Sequence, residues 1–120
     1  MTFPVEIVLK GRDFAVTESI EIPHGEPASW DDSAVHDLLV EVLGAMARQQ
    51  DPAAASGRVV VLQGFSWIVE PLKDQVVIAI EIPMGAAVAG PFAIGQAELD
   101  SMIARVLRAE RQTLAPSTIH

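Results

Sequence analysis

The sequence predicts an α+β fold: a two-layer sandwich in which two ββα units build a mainly antiparallel sheet of four or five strands, with both helices on one face. Three observations carry this. The segment Ile20-Glu21-Ile22-Pro23-His24-Gly25 recurs as Ile80-Glu81-Ile82-Pro83-Met84-Gly85, alike at five of six positions and 60 residues apart in a chain of 120. Each copy ends an aliphatic strand pattern and is followed, after a loop, by an apolar stripe at helical spacing. The helical patterns end alike, in Val42-Leu43 and Val106-Leu107, at an offset of 64, so the second loop is four residues longer. The expected organisation is a single domain over 1–120: a first half at 1–50, a linker at 51–57, a second half at 58–113 and a tail at 114–120.

The first half opens with a strand in which Val5, Ile7 and Leu9 share one face and Glu6 and Val8 the other. Lys10-Gly11-Arg12-Asp13 turns the chain into a second strand, about Phe14 to Ile22, with Ile20 and Ile22 inward and Ser19 and Glu21 outward. Pro23 ends it by removing a ladder donor. Val35, Leu38, Leu39, Val42, Leu43 and Met46 then mark one face of a helix closing near Arg48. Ser29, Asp31, Asp32 and Ser33 supply N-cap chemistry, and the acids suit the positive end of its dipole.

Beyond the linker Asp51 to Gly57, a strand is expected within Arg58 to Glu70, where Phe65, Trp67 and Val69 alternate with Ser66, Ile68 and Glu70. Leu72 to Gln75 turns into Val76 to Ile82, apolar on both faces until Glu81, and the pair reads as the centre of the sheet with the first-half strands nearer its edges. Leu99, Met102, Ile103, Val106 and Leu107 define the second helix. A two-fold arrangement of the halves would bring Asp31, Asp32, Asp37 and Glu41 of the first helix towards Arg105, Arg108 and Arg111 of the second.

Composition narrows the function classes. Half the residues are apolar, ample for a core, while aromatic side chains are few. Sixteen acidic residues against eight basic ones give a net charge of −8, which repels a phosphate backbone and disfavours nucleic-acid binding. Ten of those acids, against four basic residues, lie in residues 1–60, so the first half carries most of the negative field. Without cysteine there are no disulfides, thiolate metal sites or cysteine nucleophiles. No stretch reaches the roughly 18–20 apolar residues of a membrane span, and no leader pattern precedes the first strand; the expected location is cytoplasmic.

The most unusual stretch is Ile82 to Ala97, sixteen residues without a charge, much of it expected to be loop. An apolar loop at the surface requires a cover, so Met84, Val88, Phe92 and Ile94, with Trp30 before the first helix, form the expected interaction surface. Its cover is the domain's own sheet, a second copy or protein partner, or a small ligand. Gly85, Gly90 and Gly95 fit neither phosphate-loop nor dinucleotide spacing. Trp30 reads equally as a staple on the helix start and as an exposed anchor.

Polar-site candidates are weaker. Asp32 and His36 stand i, i+4 on the first helix, with His24 in the loop before it, but two ligands make no metal site, and none is assigned. Glu81 and its counterpart Glu21 follow isoleucines in an outward phase, as solvent-facing strand ends do. No G-x-S-x-G, H-E-x-x-H or EF-hand pattern occurs, and no cofactor is implied. The reading is therefore a non-enzymatic protein-binding or assembly module, a homo-oligomer or a partner-docking domain. A small-molecule binder or weak enzyme with a pocket between sheet and helices is one alternative. An acidic inhibitor or antitoxin-like protein that presents its first helix to a basic surface is the other.

Overall fold

Alternation in the first strand translates directly into a two-faced sheet. In the computed structural model, which describes residues 1–51 and 62–114, β1 (Thr2–Leu9) buries Phe3, Val5, Ile7 and Leu9 and exposes the residues between them. It pairs antiparallel with β2 (Val16–Glu21). The ladder to its other neighbour begins at Val5, one residue past Pro4, so the proline interrupts none of its pairs. β2 is shorter than expected: Phe14 lies outside it, largely exposed, and Ile22 beyond its end is fully buried.

The chain then makes a short 3-10 helix at Pro27–Ser29 and enters α1 (Asp32–Gln50). Asp31 is the N-cap, its carboxylate accepting the Ala34 amide at 3.0 Å. Val35, Leu38, Leu39, Val42 and Met46 are buried on one stripe, as their spacing predicts.

β3 (Ser66–Leu72) and β4 (Gln75–Ile82) form a tight hairpin, with Lys73 at the turn in the left-handed region (φ 57°). A two-residue turn, Pro83 and Met84, leads into β5 (Gly85–Phe92), which pairs with β4 on one side and β1 on the other. α2 (Gln96–Leu114) follows, burying Leu99, Met102, Ile103, Val106 and Leu107. The sheet order is β2-β1-β5-β4-β3, antiparallel throughout. α1 packs on β1, β2 and β5, α2 packs on β3, and the helices touch each other. One cluster of buried side chains draws on both halves of the chain.

Three expectations are corrected. The uncharged stretch is chiefly a strand, and that strand is the centre of the sheet. It lacks charge because both flanks are paired and one face is buried, while alanine, glycine and proline disguise it as loop; pairing overrides propensity here. β3, expected near the centre, is an edge strand, and Pro71 within it fits that place. The recurring hexapeptide does not mark equivalent places. A two-fold through β5 would exchange β1 with β4 and β2 with β3, yet the copies end β2, at an edge, and β4, inside the sheet. Among the described residues the second half also has one strand more than the first. Of the linker and tail, residues 52–57 and 115–120 lie outside the described residues, as do 58–61 of the expected third strand.

A bulge settles how β5 meets the core. Between Ile78–Ala89 and Val76–Phe92 the register gains one residue on β5, at Gly90-Pro91, where Gly90 has φ 120° and its peptide bond to Pro91 is cis. Inward positions therefore run Ala87, Ala89, Phe92 instead of keeping a strict two-residue period. That shift places the Phe92 ring 4.8 Å from Phe3 and 5.4 Å from Trp30, centroid to centroid.

Candidate functional site

The sequence-predicted surface divides in two. Phe92 is fully buried, and Ile94 and Trp30 are also core residues. The Trp30 indole N–H donates to the Gly25 carbonyl at 2.8 Å, and its ring meets Phe3 edge-on at 5.6 Å, so it is neither an exposed anchor nor free to contact a partner. Met84, in the turn before β5, and Val88, in the middle of β5, remain exposed, at 44% and 41%.

Val88 belongs to a larger feature on the sheet face away from the helices. Register pairs Ile68 with Ala79, Ala79 with Val88, and Val88 with Glu6, so three apolar side chains stand side by side across β3, β4 and β5. The next outward row runs Ser66, Glu81, Ala86, Val8. Ile68 and Val8 are 54% and 43% exposed. Together with Val77 they form an apolar centre on a face that no described element covers. A depression of about 390 Å³ lies over Ile68, Ala79, Ala86 and Val88. Val8 and Ile68 were missed as site residues although the signal was present: each is a large aliphatic side chain in the outward phase of an alternating strand.

Among the described residues, the side-chain charges on the strands of this face have one sign. Its outward strand positions carry Glu6, Glu21, Glu70 and Glu81 and no lysine or arginine. Glu21, at the corner, is held below the usual carboxylate range, first by a hydrogen bond from the Met1 ammonium at 2.9 Å and then by the Thr2 hydroxyl. Glu6, Glu70 and Glu81 have no ion-pair partner among the described residues.

The polar candidates on the helix side assemble differently. His24 Nε2 lies 2.8 Å from Asp37 Oδ2, and His36 Nδ1 lies 3.6 Å from Asp37 Oδ1, so Asp37 stands between the two imidazoles. His36 Nε2 reaches within 4.0 Å of Glu110 on α2. Asp32 instead receives Arg105 through Nε and Nη2, each at 3.0 Å, clasping α1 to α2. Glu81 is on the other face of the sheet and joins neither group. No group of three or more potential metal-ligating side chains among the described residues is arranged so that it could hold a metal ion.

No known family model, curated protein or solved structure matches this chain. Function has to be argued from its own surface. No helix among the described residues is long and apolar enough to cross a membrane.

The clasp gives a pH prediction. Hydrogen bonds from the Arg105 guanidinium hold the Asp32 carboxyl below its ordinary value. A depressed folded-state pKa stabilises the fold fully above the ordinary carboxylate range and is lost as pH falls through the lowered value. Both partners are about half exposed, which keeps the effect small and sensitive to salt. Thermal melts of Asp32→Asn should sit slightly below the parent at neutral pH and low salt. They should converge with it in acid below the lowered pKa, and also in high salt.

Proposed function

We propose that this chain is a non-enzymatic, cytoplasmic protein-docking module that engages a protein surface through the open face of its sheet. The carrying observation is the row Ile68, Ala79, Val88, continuous across three strands, with Ile68 and Val88 exposed, Ala79 half-buried between them, and Val8 and Ala86 extending it along the face. An antiparallel sheet with one solvated face ordinarily alternates apolar inward with polar outward. Apolar side chains at the centre of the outward face are favourably removed from water by a partner. Docking therefore moves from the stretch 82–97 as a whole to its outward residue Val88 and that residue's neighbours on adjacent strands.

The polar cluster of His24, His36 and Asp37 supports the pocket reading less well, since Glu81 is separated from it by the sheet. A photo-crosslinking side chain at Val88 in living cells tests the proposal, with the same group at Arg108 on α2 as comparison. The expected result is a discrete crosslinked species from Val88, with a protein partner or a second copy, and none from Arg108. Absence of any Val88 crosslink, with the protein folded and expressed, overturns it.

A further inference from the structure

Resting on the docking reading, we propose that the occupant of the open sheet face is an amphipathic helix with basic flanks supplied by another protein, and not a second copy of this chain. Charge complementarity decides between them. Glu6 adjoins Val88 across the β1–β5 ladder, Glu81 follows Ala79 two residues along β4, and Glu70 follows Ile68 two residues along β3. The apolar centre is thus flanked by unpaired carboxylates on several sides. A second copy applied face to face would set glutamates against glutamates, and desolvating like charges opposes association. A helix carrying lysine or arginine beside its apolar stripe meets both the patch and its rim.

Size and edges favour a helix over an added strand. Ile68 to Val88 spans two strand spacings, about 10 Å, which matches the diameter of an α-helix. At the β3 edge, Pro71 lacks an N–H and the Val69 carbonyl already accepts the Gln96 side-chain amide at 2.9 Å, so that edge is partly closed to strand addition. At the opposite edge β2 is only six residues long. On the first helix Asp32 is engaged by Arg105 and Asp37 by His24, while Glu41 has no ion-pair partner among the described residues. On the sheet, Glu6, Glu70 and Glu81 flank the apolar row without an ion-pair partner among the described residues.

Fluorescence anisotropy tests this with a labelled leucine-striped, lysine-flanked helical peptide, its glutamate-flanked counterpart, and the whole chain. The lysine peptide should bind and the glutamate peptide should not, with affinity falling about tenfold or more between low and high salt. Val88→Asp and Glu6→Lys/Glu81→Lys should each weaken the lysine peptide at least about tenfold, and the second should admit the glutamate peptide. Glu6→Gln/Glu81→Gln, which adds no charge, should reduce the salt dependence. Asp13→Lys/Asp100→Lys, away from the face, should leave binding unchanged. Equal weakening by that distant pair, or binding that survives Val88→Asp, means general attraction to an acidic protein and overturns the proposal. Crosslinks between two copies at Val88 without peptide binding also overturn it, yet leave the docking face standing. No crosslink at Val88 removes the docking face itself.

Discussion

Phe92→Ala is expected to lower the unfolding free energy by about 3–5 kcal/mol, read as a lower urea midpoint at unchanged slope. The ring is fully buried beneath the bulge and touches both Phe3 and Trp30, so truncation empties a large space and removes two aromatic contacts at once. Against the stability of ordinary domains, about 5–15 kcal/mol, that is a substantial fraction. Phe92→Asp would be worse, since it buries an unpaired carboxylate in the same place. Loss of docking in either variant would report unfolding. Val88→Asp, on the exposed face of the same strand, should lower the unfolding free energy by only about 1 kcal/mol, through weaker strand propensity and the Glu6 carboxylate opposite. If Phe92→Ala melted like the parent, the assignment of β5 to the centre of the sheet would be wrong.

The second large effect separates the matched glycines. A Cβ at Gly85 would collide with the Val8 carbonyl oxygen and press on the Leu9 Cα at 2.9 Å, both backbone atoms of the adjoining strand. Gly85→Ala must therefore push β1 and β5 apart where Leu9 pairs with Gly85, and overpacking of this kind costs about 1–3 kcal/mol. At Gly25 the nearest atom is the Ser29 hydroxyl oxygen, 3.3 Å away, which donates to the Glu26 carbonyl and has to give only slightly. Gly25→Ala should be neutral, or slightly stabilising through a less flexible unfolded chain, by up to about 1 kcal/mol. Paired urea titrations check the contrast. Similar losses at both positions would indicate that the two glycines serve equivalent roles after all.

That contrast shows how far the repeat could be read. Ile20 and Ile80 share strand identity, inward phase and burial, because alternation is a local property of the chain. The continuation of each copy is not local. After Pro23 the chain runs into the turn before α1, whereas after Pro83 it reverses at once into β5, and Gly85 is required because another strand's backbone passes there. Nothing within either hexapeptide records that neighbour. The same limit explains Trp30, whose ambiguity as staple or anchor is resolved by Phe3 and Phe92, residues 27 and 62 positions away.

Local pattern was enough for the α+β class, the two helix stripes with N-cap chemistry before the first, the faces of β1, and the inward phase of Ile20 in β2. Each rests on periodicity or on a hydrogen bond within a few residues. Val8 and Ile68 were readable as outward and apolar for the same reason. Long-range pairing makes the uncharged stretch the central strand, lets a bulge turn Phe92 inward, and lines up Ile68, Ala79 and Val88 beside Glu6. Strand order and register arise from pairings between distant segments, and a side chain's neighbours on a sheet face are set by those pairings and not by its own strand.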